Sequence, residues 1–149
     1  MSMVDITEKK PVYREAVAEG VIRLKPETLR LIKEGKVEKG DVLEVTRAAV
    51  AMAVKKTSEL LPLCHPIPVT HVETSFDFPS DDELRLTVKV KTVAQTGVEM
   101  EALTGVAVGL LNVWDMVKKY EKDAEGQYPD TRIEYIRVVS KVKTSPSSP

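Results

Sequence analysis

The chain reads as an α+β sandwich, a four-stranded antiparallel sheet with helices packed on one face, and three observations predict it. Val72, Thr74, Phe76 and Phe78 alternate with Glu73, Ser75 and Asp77, and Leu84, Leu86, Val88 and Val90 alternate with Arg85, Thr87, Lys89 and Lys91. A period of two marks half-buried strands. Ser80-Asp81-Asp82 turns the chain between them, so the two strands form a hairpin. Met100, Leu103, Val106, Ala107, Leu110, Val113, Trp114 and Val117 then recur at the spacing of a helix that starts after Gly97 and reaches about Tyr120.

The other elements follow in order. Val17, Val21, Ile22 and Leu24 mark a strand from Ala16 to Leu24. Pro26 suits the first turn of a short helix through Leu29, Leu31 and Ile32, stopped at Gly35. Asp41 stands three residues before Glu44, like a capping box, and opens a long helix from Val42 to about Leu61. The centre of that helix, Ala48 to Val54, is a run of small apolar residues, which predicts burial on more than one side. Pro62, Pro66 and Pro68 forbid helix beyond it and leave a stiff loop. Arg132 to about Val142 forms a last strand. The order strand, two helices, hairpin, helix, strand fits a ferredoxin-like sandwich with one extra helix. At 149 residues the chain has the size of a single domain, 1–149, with a low-complexity tail from Thr144 to Pro149 expected to be frayed.

Composition narrows the function. Lys and Arg number 22 against 23 Asp and Glu, a net charge of −1, so no overall field draws the chain to nucleic acid or membrane. No apolar run approaches the roughly 20 residues of a spanning helix. Met1 to Lys10 is polar and lacks the apolar stretch of a signal peptide. Cys64 stands alone, which excludes an internal disulfide and suits a reducing cytoplasm.

Four stretches hold more chemistry than packing needs. Leu63-Cys64-His65-Pro66 cages a thiol and an imidazole between prolines, with His71 six residues on. Three Cys and His in all are too few for a closed zinc site, so no metal is expected; a buried thiol beside a hydrogen-bonded histidine is the plain explanation. Glu99 and Glu101 open a helix, where acids complement the dipole. Asp115 and Lys118 share a helix face, ordinarily as a solvated ion pair, or else as a lysine oriented for proton transfer. Lys39 precedes the helix start at Asp41, as a surface lysine or as part of a phosphate-attracting end.

Taken together and in this order, these stretches resemble the MoaC family. The resemblance rests on Leu63-Cys64-His65-Pro66, on the run Thr96-Gly97-Val98-Glu99-Met100-Glu101-Ala102-Leu103-Thr104, and on Asp115-Met116 followed by Lys118. Met3-Val4-Asp5-Ile6, Val12-Tyr13-Arg14-Glu15-Ala16 and Lys39-Gly40-Asp41-Val42 extend it from about Met3 to about Ser140. It implies a lyase of molybdenum cofactor biosynthesis that turns 3′,8-cyclo-7,8-dihydro-GTP into cyclic pyranopterin monophosphate and pyrophosphate. It implies Asp115, Lys118 and Lys39 as catalytic residues, and Leu63, Cys64, His65, Met100 and Glu101 as substrate-binding, with Glu99 and Arg14 close by. It implies a hexamer, a trimer of dimers, with sites at subunit interfaces, and no cofactor. Val117 replaces a cysteine common in the family, on the apolar stripe where packing explains it. The family's Gly-rich ending is absent, which leaves Lys141 or Lys143 as the phosphate contact.

Two other classes compete. A ferredoxin-like fold also suits a regulatory domain that binds a small molecule, since fold alone does not set function. An RNA-binding sheet needs exposed aromatics and a basic face; Phe76 and Phe78 read as core and the charge is balanced.

Overall fold

The computed structural model describes residues 1–144. Its elements are β1 (Val12–Arg23), α1 (Pro26–Glu34), α2 (Val42–Lys55), α3 (Thr57–Leu60), β2 (Val69–Ser80), β3 (Glu83–Ala94), α4 (Glu99–Glu121) and β4 (Arg132–Thr144). The strands form one antiparallel sheet in the order β2-β3-β1-β4, the ferredoxin-like arrangement. Register carries the core. Ala16, Ala18 and Ile22 lie opposite Val90, Val88 and Leu84, and all six are buried. Ala102, Val106, Leu110, Val113 and Val117 of α4 are fully buried with them in one cluster. Each Val or Leu so buried contributes about 1.5–3 kcal/mol.

α2 lies across α4, and Gly105 and Gly109 allow the close approach. A Cβ on Gly109 would stand 2.5 Å from Leu86 Cδ2 and 2.8 Å from Val50 Cγ2, so no side chain fits there. α4 is therefore set firmly against both layers, and its two ends become fixed points for side chains.

Several expectations need correcting. β1 starts at Val12 rather than Ala16, because β3 is long enough to pair with it as far as Ala94. The long helix divides at Lys56: the Thr57 hydroxyl donates to the carbonyls of Ala53 at 2.9 Å and Val54 at 3.1 Å, taking acceptors that a continuing helix uses. Nor is α2 covered on more than one side within the chain. Val50, Ala53 and Val54 face inward, whereas Val45 and Met52 are exposed. Asp41 does cap α2, accepting from the Glu44 N–H, but Glu44 pairs with Arg47. α4 is also long and apolar enough by composition to cross a membrane, with half of its most apolar window buried inside the fold. Phe76 and Phe78 are only partly buried, each under a cation, Arg47 and Lys33 respectively. Of the tail, Thr144 ends β4; the rest lies outside the described residues.

The sheet's other face is a solvated lattice of charge, with Glu15 beside Lys89, Glu19 beside Arg137, and Arg85 against Asp77. Of these, Arg85–Asp77 is exposed on both sides and contributes little.

Candidate functional site at the two ends of a helix

At the amino-terminal end of α4, Glu101 is turned inward and only 3% exposed, unlike an acid that merely complements a dipole. The proline-stiffened loop after α3 brings the Cys64 Sγ to 3.8 Å from Glu101 Oε2. Burial, the largest cause, pushes the Glu101 carboxyl above its ordinary range, and the Glu99 charge adds to this. Burial pushes the Cys64 thiol up as well, with the Glu101 charge second. Cys64 is thus a thiol that donates to a carboxyl and a poor nucleophile. Glu101 Oε1 and Glu99 Oε2 are shielded from water and, among the described residues, have no hydrogen-bond partner. Orphaned oxygens of this kind in a native fold ask for a donor from elsewhere. Leu63 and Met100 leave apolar surface exposed beside them.

Next to these acids is a basic cleft. Arg14, Lys141 and Lys143 line it together with one acid, Glu15, and with Gly97 and Val98. Arg14 Nε donates to the Ala94 carbonyl at 3.2 Å, and Lys141 Nζ lies 3.2 Å from Glu99 Oε1. Lys141 is therefore placed between the cleft and the acids.

The carboxy-terminal half of α4 carries a different cluster. Asp115 and Lys118 share a face, Nζ to Oδ1 being 3.1 Å. Lys39 comes from the loop between α1 and α2, its Nζ 3.1 Å from the Asp115 carbonyl and 3.5 Å from Oδ2. Two features place that loop: the Glu38 N–H donates to the Tyr120 hydroxyl at 2.9 Å, and Gly40 takes φ of 127°, a region open to glycine. The Lys118 hydrogen bond, then the charges of Lys118 and Lys39, hold the Asp115 carboxyl below its usual range. It stays ionised and fixes two ammonium groups, separated by 79 positions in sequence, at one exposed spot.

Asp115 stands fourteen positions after Glu101 on α4, which at 1.5 Å per residue is about 21 Å along the axis. The structure thus gathers Asp115, Lys39 and Lys118 at one place and Cys64, Glu99, Glu101, Lys141 and Arg14 at another. It does not bring Arg14 to the two lysines. His65 projects from the same loop as Cys64, its Nε2 2.7 Å from the Val4 carbonyl oxygen. His71 is exposed on β2. Among the described residues no three His, Cys, Asp or Glu side chains are grouped to hold a metal. One residue that sequence reasoning missed is Gln95, whose amide ties down the segment ahead of β1; a lone glutamine at a strand end carries no signal of that.

The family match defines the class, an enzyme of ferredoxin-like fold acting on a small molecule. The MoaC family model matches residues 3–144, and the chain belongs to the MoaC family. It is 57% identical over 143 residues to a protein of Pyrococcus furiosus named probable cyclic pyranopterin monophosphate synthase, covering 96% of this chain and 91% of that one. A protein of the same name from Pyrococcus horikoshii is 59% identical, covering 97% and 90%. Another from Sulfolobus acidocaldarius is 51% identical, covering 95% and 99%.

Proposed function

We propose that this chain carries the activity for which its relatives are named, acting as a lyase that forms cyclic pyranopterin monophosphate from 3′,8-cyclo-7,8-dihydro-GTP and releases pyrophosphate. The observation that carries this reading is the Lys39–Asp115–Lys118 cluster, two cations held by one ionised carboxylate. The reaction needs proton transfers on the purine-derived skeleton and closure of a cyclic phosphate. In the closure a substrate hydroxyl attacks the α-phosphorus, its proton passes to a base, and pyrophosphate leaves with the bond it held. The ionised Asp115 carboxylate at this cluster takes that proton, and the lysine ammonium groups act as acids toward the departing pyrophosphate and stabilise charge on the phosphate oxygens. Glu101, Cys64, Met100, Leu63 and His65 hold the guanine-derived end, whose N–H donors suit the orphaned carboxyl oxygens of Glu101 and Glu99.

A general acid or base must come within about 3 Å of the proton it moves. With the guanine-derived end at Glu101 and the α-phosphorus at the lysines, one compact cyclised nucleotide would have to span clusters about 21 Å apart along a single helix. A second copy therefore supplies one of them, in a hexamer built as a trimer of dimers. The exposed side of α2, with Val45 and Met52, and Leu111 of α4 offer apolar surface for such contacts. The chain works as one domain, 1–149, in the cytoplasm, with no resident metal or cofactor. A small-molecule-binding regulatory domain explains the buried acid but gives no use for two lysines fixed on Asp115. Incubating the purified protein with enzymatically made 3′,8-cyclo-7,8-dihydro-GTP and assaying pyrophosphate and pterin decides between them. Turnover supports the lyase; tight binding without turnover supports the regulatory domain.

A further inference from the structure

The segment ahead of β1 lies against the Cys64–His65 loop, and three side chains account for it. Within the segment, the Asp5 carboxylate accepts from the Thr7 N–H at 2.9 Å and the Thr7 hydroxyl at 2.6 Å, and the Lys9 N–H donates to the Ile6 carbonyl at 3.0 Å. The local sequence thus shapes its own turn. From the end of β3, the Gln95 amide donates to the carbonyls of Ile6, at 3.4 Å, and Lys9, at 2.9 Å. The third contact is between His65 Nε2 and the Val4 carbonyl oxygen, at 2.7 Å. Val4 and Met3 are exposed, so apolar burial does not hold this end of the segment in place. Polar contacts do.

A carbonyl oxygen only accepts. His65 Nε2 must therefore carry the hydrogen in that bond, and in the neutral ring Nδ1 is left with the lone pair. We propose that Gln95 and the segment ahead of β1 are positioning elements for the substrate site: Gln95 holds Ile6 and Lys9 so that the Val4 carbonyl fixes His65 as its Nε2–H form, offering Nδ1 as the ring's one hydrogen-bond acceptor. The effect on turnover rests on reading the His65 loop as part of the substrate site; the ring's hydrogen position does not. Gln95 acts on the ligand only through His65. Its backbone carbonyl, which accepts from Arg14 at 3.4 Å, is a separate contact that side-chain substitution leaves in place.

The chain has two histidines, so the ring nitrogens can be read directly by long-range ¹H–¹⁵N correlation on the whole protein at alkaline pH, with His71→Asn assigning the signals. In the native protein, the His65 nitrogens should be widely separated in shift, with the hydrogen on Nε2. Gln95→Glu keeps the shape of the side chain and replaces the amide donor with an acceptor. In this variant, and in one lacking residues 1–6, the two shifts should move toward the average of a freely exchanging imidazole. In both, KM for the cyclised nucleotide should rise about tenfold with kcat within about twofold, since the lost interaction serves binding. A hydrogen on Nδ1 in the native protein overturns the proposal, as do native-like His65 shifts in both variants. Changed shifts with an unchanged KM overturn its link to the substrate. Absence of turnover in every form counts against the lyase reading alone, because the nitrogen shifts still decide the His65 question.

Discussion

Two glutamates on α4 are buried, and they are treated in opposite ways. Glu121, fully buried at the last turn, accepts from the Lys25 N–H at 3.2 Å, the Thr131 hydroxyl at 2.7 Å and the Thr28 hydroxyl. It ties the start of α1 and the loop before β4 to the end of α4. Glu101, at the first turn, has one weak thiol donor and an oxygen with no partner. A buried acid kept for architecture is saturated with donors, whereas one left wanting is set for a ligand. Asp115 completes the contrast. It is exposed and partnered only by cations, an arrangement for holding charge in place.

The largest effect expected from this contrast is catalytic. Lys118→Ala and Lys39→Ala should each cut turnover by about 10²–10⁴, the usual cost of losing a general acid or base. Assembly, followed by light scattering, should not change. Near-normal turnover in either variant would remove Asp115's lysines from the chemistry and leave Glu101 as a binding residue alone.

Glu121→Ala should act on the fold instead. It strands three donors and should cost about 3 kcal/mol, read as a lower urea midpoint. Activity per folded molecule should be retained. A stable Glu121→Ala protein without activity would make Glu121 a functional acid and break the comparison.

Glu101 should show the reverse pattern, smaller in stability. Its carboxyl is raised in the folded protein, chiefly by burial. As pH climbs from the ordinary carboxylate range through that raised value, the unfolded chain holds fewer protons than the folded one, so this group's contribution to stability is lost. Glu101→Gln cannot ionise and should flatten that decline while weakening substrate binding. A steeper decline in the variant would mean that the native carboxyl is not raised. Chelators should have the smallest effect of all: with too few soft ligands for a closed site, the unfolding curve should not move. Stoichiometric zinc by elemental analysis, with unfolding on chelation, would overturn that.

How much of this could be read from sequence depended on range. The stripe on α4 and the alternation in β2 and β3 are local patterns, and sheet and helices followed from them. The division at Lys56 was hidden because it turns on which carbonyls the Thr57 hydroxyl takes. Glu99 and Glu101 read equally well as dipole partners, because the burial of Glu101 depends on a loop that arrives from outside the helix. Lys39 and Asp115 each had a bland local explanation; only the fold brings their side chains together across 76 residues. Family resemblance named these residues without placing them. Within one chain the geometry separates Arg14 from the two lysines.

The most direct test of a site divided between subunits is complementation with verified subunit exchange. Arg14 and Asp115 belong to different clusters, so mixing Arg14→Ala with Asp115→Ala should restore measurable turnover, one intact site arising where the two unaltered clusters meet. Lys39 and Lys118 lie on the same Asp115, so Lys39→Ala mixed with Lys118→Ala should stay inactive. Recovery in the second mixture and silence in the first would contradict the account, and full activity in a monomeric variant would end it.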